Sequence, residues 1–135
     1  MLAICDGAIK SASTWLYNIL FNLLEFERPP ERYLTDGSRK RKKNPCIQPD
    51  RLAYFLENED IIGHQYLSKN HLARPEYRDL LMANSQVYVF DIERNVRDMV
   101  VSAYYDDCNR NGYEKEFSAY YWNIGRYVAD EVIRY

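Results

Sequence analysis

Short strand-like runs alternate with helical patterns along most of this chain, and that alternation limits its fold more than any other feature. Residues 2–6 begin with an unbroken apolar run, Leu2-Ala3-Ile4-Cys5, and read as a buried strand. Residues 14–25 follow with Trp15, Leu16, Ile19, Leu20, Leu23 and Leu24 at helical spacing. A short helix is expected over 50–58, with Leu52, Ala53 and Leu56 on one side, and a second strand over 61–66. Residues 74–84 form a helical candidate with Pro75 in its first turn. Gln86-Val87-Tyr88-Val89-Phe90-Asp91-Ile92 is the clearest strand, rich in β-branched and aromatic residues. A helix begins over 98–105, and 114–135 is helical with Phe117, Tyr120, Tyr121, Ile124, Tyr127 and Val128 on one face. Strands separated by helices imply a parallel sheet joined by crossovers, an α/β class. Such sheets bind ligands beyond the carboxyl ends of their strands.

The turn after the first strand carries the most chemistry. Lys10-Ser11-Ala12-Ser13-Thr14-Trp15 joins a strand to a helix through small hydroxyl residues and one lysine. Free backbone N–H groups and the helix dipole favour an anion there, and the lysine adds a point charge. The nucleotide loop G-x-x-x-x-G-K-[ST] is absent, because Gly7 and Lys10-Ser11 have the wrong spacing. Ser and Thr ahead of an apolar helix are also ordinary N-caps, so on this segment alone a phosphate site and a plain cap both stand.

Three segments read together resemble the sulfotransferases that use 3′-phosphoadenosine 5′-phosphosulfate (PAPS). Lys10 to Trp15 is similar to that family's P-K-S-G-T-T-W loop. Lys69-Asn70-His71-Leu72 is similar to its K-T-H-L segment. Arg94-Asn95-Val96-Arg97-Asp98-Met99-Val100-Val101-Ser102 is similar to its R-N-P-[KR]-D-x-x-x-S segment, with Tyr104-Tyr105 echoing the aromatic pair that follows. The order and spacing also agree. The resemblance implies a three-layer fold like that of the P-loop NTPases, a parallel sheet flanked by helices, here incomplete. It spans roughly residues 2 to 107, the front half of the family's domain, and the 135 residues read as one domain, 1–135.

Roles follow from the resemblance by position. Lys10 contacts the 5′-phosphosulfate, Ser11, Ser13 and Thr14 donate to the 5′-phosphate, Ala12 takes the loop's glycine position, and Trp15 stacks on adenine. Arg94 and Ser102 hold the 3′-phosphate. His71 is the general base, with Lys69 a second cation. The implied reaction moves a sulfuryl group from PAPS to a hydroxyl or amine acceptor, without a metal. Imidazole, with an ordinary pKa of about 6.5, suits removal of the acceptor's proton near neutral pH. A lysine by the bridging oxygen stabilises the departing phosphate. The chain departs from the family pattern at Ile9, Ala12, Asn70 and Val96, and a Cβ at Ala12 restricts positive φ.

Structural readings stand beside these roles. Trp15 on an apolar helix suits a core, Arg94 and Arg97 have Asp91, Glu93 and Asp98 as ion-pair partners, and His64 reads as structural. Apolar residues make up 47%, which argues against disorder, and a net charge of −2 asks for neither a nucleic-acid nor a membrane partner. Cys5, Cys46 and Cys108 are too few and too scattered for a disulfide framework and point to the cytoplasm. Residues 27–50, with four prolines and the basic run Arg39 to Lys43, read as a long exposed connection. The thirteen tyrosines, many of them after residue 100, suggest an aromatic packed surface or a missing partner. A further C-terminal segment or a second copy would supply one, and the acceptor itself, small molecule or glycan, is unspecified. Two rivals remain: a kinase-like enzyme using Asp91 for magnesium, and a catalytically inactive nucleotide-binding or interaction remnant of a sulfotransferase.

Overall fold

The computed structural model describes residues 1–8, 10–34, 45–71, 75–114 and 116–134, and of 75, 76 and 131–134 the backbone alone. The basic run at 39–43 and Leu72 lie outside the described residues. The architecture is α/β. Strand β1 (Leu2–Asp6) is the middle of a three-stranded sheet, with β2 (Tyr66–Lys69) on one side and β3 (Val87–Asp91) on the other. Both pairings are parallel, with Cys5 opposite Lys69 and Ile4 opposite Val89.

Side chains leave β1 alternately to two faces, and helices cover both. Leu2 and Ile4 pack with Leu52 and Phe55 of helix α2 (Pro49–Asn58) and Leu81 of α3 (Pro75–Met82). Ala3 and Cys5 pack on the other face against Tyr17, Leu16 and Leu20 of α1 (Ser13–Leu23). A strand buried on both faces needs an unalternated apolar run, which Leu2 to Cys5 supplies. Helix α4 (Val96–Asn111) starts at Asn95, whose side chain accepts from the Arg97 N–H at 2.9 Å, and ends on Gly112 in the left-handed region. Among the described residues, no helix is long and apolar enough to cross a membrane.

Several expectations need correction. The second strand is 66–69, not 61–66: Asp60 Oδ1 accepts from the Ile62 and Gly63 N–H groups at 3.1 and 2.7 Å, and this side-chain turn outcompetes β-propensity. Lys69 therefore ends the strand instead of following it. Residues 27–50 are not simply an exposed connection, since Tyr33, Leu34 and Ile47 are buried in the α2 face of the core. The outer edge of β2 needs hydrogen-bond partners, and this segment supplies them. Leu67 N–H donates to Glu27 O and Lys69 N–H to Pro45 O, at 2.9 and 3.0 Å. In α2 the buried residue beside Leu52 is Phe55, while Ala53 is exposed.

Past Gly112 the chain forms α5 (Phe117–Tyr120), a wider π turn (Tyr121–Gly125) and α6 (Arg126–Arg134). Only Tyr120 of its expected apolar face is fully buried. Its hydroxyl donates to Asp107 at 2.8 Å, and its ring packs edge-on to Tyr104 and Tyr113 with centroids 5.3 Å apart. Burial pushes its hydroxyl pKa well up, and the Asp107 carboxylate adds to the shift. Tyrosine thus packs on tyrosine here, while Tyr121, Trp122 and Tyr127 remain exposed.

Candidate functional site

The turn between β1 and α1 is built by a glycine and two strained residues. Gly7 has φ 139°, and a Cβ there would lie 2.4 Å from Ser11 Oγ and 3.1 Å from the Ile92 carbonyl oxygen. Only glycine lets the two loops close on each other. Lys10 and Ala12 both have positive φ, 66° and 86°. Ala12 is thus left-handed although it is not glycine, and it carries the strain.

Ala12 is also the N-cap residue of α1, and no side-chain hydrogen bond caps the helix. Plain capping by the Ser and Thr hydroxyls is therefore not what this segment does. Ser11 and Ser13 are buried, Thr14 is exposed, and Trp15 is 67% exposed. The tryptophan is no core residue. Ser11 Oγ is fully enclosed and has no hydrogen-bond partner, an arrangement that costs about 1–3 kcal/mol unless something fills it. It lines a cavity of about 290 Å³ with Ala8, Asp91, Ile92, Glu93, Arg94 and Met99.

Arg94 joins the two loops. Its guanidinium donates to the Lys10 carbonyl at 3.4 Å, and the residue lines the cavity together with Ser11. Met99, Ser102 and Asp106 share one face of α4 by their spacing. Met99 lines the cavity and Asp106 Oδ2 holds the Lys10 ammonium at 2.5 Å, so Ser102 sits half-buried between those two contacts. Of the sequence-predicted set, Ser11 and Arg94 line this cavity, and the Lys10 carbonyl accepts from Arg94.

His71 belongs to the same end of the sheet. Its Nδ1 lies 2.6 Å from the Gly7 carbonyl oxygen. A carbonyl only accepts, so Nδ1 carries the hydrogen and the neutral ring keeps its lone pair on Nε2. Asn70, one residue back, is buried: its amide donates to Ile47 O at 2.7 Å and its Oδ1 accepts from Ser68 at 2.5 Å. That clamp fixes the strand end from which His71 projects.

Lys69 is placed differently from the other cations. It is only 9% exposed and lies opposite Cys5, on the α1 face of the sheet. Burial pushes the Cys5 thiol up to about 11 and raises Cys46 as well, with the Lys69 charge opposing both shifts. The lysine's charge therefore acts on these two thiols.

Gly7 and Asp106 are site residues that the sequence reading passed over. A glycine directly after a buried strand was a usable signal for the first. Asp106 stands 96 positions from Lys10, and no local pattern pairs them. No known protein family, curated protein or solved structure matches this chain.

Proposed function

We propose that this chain binds a 3′-phosphorylated adenine nucleotide at the β1–α1 turn and acts as a PAPS-dependent sulfotransferase with a P-loop-like fold. One observation carries the reading: an α-helix N-terminus without a side-chain cap opens beside a buried, unpartnered Ser11 hydroxyl, in a cavity bordered by an arginine. That combination offers donors and positive charge to a phosphate, and the Ser11 hydroxyl is left unsatisfied without one. Exposed Trp15, in the first turn of α1, suits stacking on a base. Arg94 and Ser102 come from a separate loop and helix, which suits recognition of a second phosphate.

The chain's own residues can also serve the chemistry. His71, pinned through Nδ1, presents Nε2 as acceptor for a proton from a hydroxyl nucleophile. Lys10 supplies the positive charge where negative charge develops on a leaving phosphate. PAPS would supply the activated sulfuryl group. Three free thiols suit the cytoplasm.

A second reading, a nucleotide-binding or interaction module without catalysis, is favoured by the engagement of Lys10 with Asp106. Calorimetric titration with 3′-phosphoadenosine 5′-phosphate, against adenosine 5′-phosphate, tests the shared part of both. Preference for the 3′-phosphorylated ligand is expected, and Arg94→Ala should remove about 1.5–3 kcal/mol of it, the range for hydrogen bonds to charged groups. Equal affinity for the two nucleotides would sink the 3′-phosphate assignment. His71→Ala then separates the readings, since it should abolish sulfate transfer from PAPS to a phenol and leave nucleotide binding intact. No transfer from the unmodified chain, with binding retained, selects the second.

A further inference from the structure

The contact between Lys10 and Asp106 has a geometry suited to more than packing. Lys10 Nζ lies 2.5 Å from Asp106 Oδ2, while Asp106 Oδ1 lies 2.5 Å from Arg110 Nε one turn further along α4. Each carboxylate oxygen thus has its own cation. The Lys10 and Asp106 side chains are 27% and 28% exposed, so the pair is partly shielded from water and salt and remains open to an incoming ion. The loop that carries Lys10 leads into a helix with no side-chain cap and holds the Ser11 hydroxyl, which lacks a partner.

We infer that Asp106 is an internal competitor for the anion site: its carboxylate occupies the Lys10 ammonium until a phosphate displaces it, and Arg110 then keeps the released carboxylate. This rests on the reading that the β1–α1 turn binds a phosphate group. The physical logic is exchange of one anion for another on the same cation. Breaking an ion pair leaves a costly unpaired charge only if the freed group has no other partner. Asp106 keeps Arg110, so release of Lys10 strands no charge. A doubly charged phosphate, which also satisfies the α1 amides and Ser11, has more to gain at Lys10 than a single carboxylate. Asp106 thereby sets how strong an anion must be to enter, which makes it a specificity-determining residue that need not touch the nucleotide.

The test is a cycle of Kd values for 3′-phosphoadenosine 5′-phosphate, measured calorimetrically on the full chain and on Asp106→Asn, Arg110→Gln and the double variant. Asp106→Asn keeps the shape and removes the competing charge, so binding should tighten roughly three- to tenfold, the scale of a partly exposed pair. Arg110→Gln should weaken binding in the unaltered background, because the carboxylate loses its alternative partner, and should have no effect once Asp106 is asparagine. A general field effect predicts something else: Arg110→Gln would weaken binding equally in both backgrounds, and that result overturns the proposal. Unchanged or weaker binding by a folded Asp106→Asn chain, judged by its melting curve, also overturns it while leaving the anion site in place. Binding by Asp106→Asn alone supports it most strongly. Absence of binding by every folded variant removes the anion site itself, and the proposal with it.

Discussion

Strands β1 and β3 lie side by side in one sheet, yet they live in different environments. Ile4 and Val89 are register partners; Ile4 is 0% exposed and Val89 45%. By composition β3 is the better strand, with its run of β-branched and aromatic residues. Yet β1 is hydrogen-bonded on both sides and covered on both faces, whereas Tyr88, Val89 and Phe90 of β3 are all exposed. Their junctions with the following helices differ as well. The turn after β1 is strained, with two non-glycine residues at positive φ and no side-chain cap; the turn after β3 ends in an Asn95 cap. Local propensity says how readily a segment extends, and tertiary position decides what it is worth. Burial is concentrated on the strand whose loop forms the candidate site, which suits a site that needs a rigid base.

The sharpest way to break this comparison is to truncate both register partners. Ile4→Ala removes a fully buried side chain and should cost about 2–5 kcal/mol, read as a shift in the urea midpoint. Val89→Ala, at the same level of the sheet, should cost at most about 1 kcal/mol. Equal losses would mean that β3 is covered in solution. Next in size is Gly7→Ala. Its backbone suits glycine alone, and the new methyl would meet Ser11 and the Ile92 carbonyl, so a loss of about 1–3 kcal/mol is expected. The same change should also weaken nucleotide binding, since it disturbs the carbonyl that anchors His71 and the wall of the cavity. Stability and binding lost together would tie the site to the strand beneath it.

Much of this was legible from residue order alone. The strands at 2–6 and 86–92 and the helix after the first were readable because a short apolar run before a 3.6-residue pattern has few alternatives. The parallel sheet followed from the alternation, and the convergence of the first loop with Arg94 followed from the rule that sites lie past strand ends. What escaped reading depended on contacts distant in sequence. Asp60 turned an apolar stretch at 61–64 into a turn through two hydrogen bonds that no hydropathy pattern records. Tyr33 and Ile47 looked like parts of a proline-rich connection because their burial is created by the edge of β2. The Lys10–Asp106 pair joins the first loop to the far end of α4, beyond any local pattern.

The smallest effects concern the two junctions, and they should have opposite signs. Asn95→Ala removes the hydroxyl-free but effective side-chain acceptor for the Arg97 N–H, and loss of such a cap costs about 1 kcal/mol. Ala12→Gly acts the other way. A non-glycine residue in the left-handed region is strained by about 1–2 kcal/mol, and the added freedom of glycine in the unfolded chain returns about 0.4–1 of that. A net gain of about 0.5–1 kcal/mol should appear as a higher melting temperature. Ala12→Gly losing stability would show that the β1 junction is relaxed and that its φ is not a source of strain. Gain at Ala12 with loss at Asn95 would establish that the chain keeps strain at the loop bearing the uncapped amides and relieves it at the other, the distribution expected if the first turn is shaped for a ligand and the second for the fold.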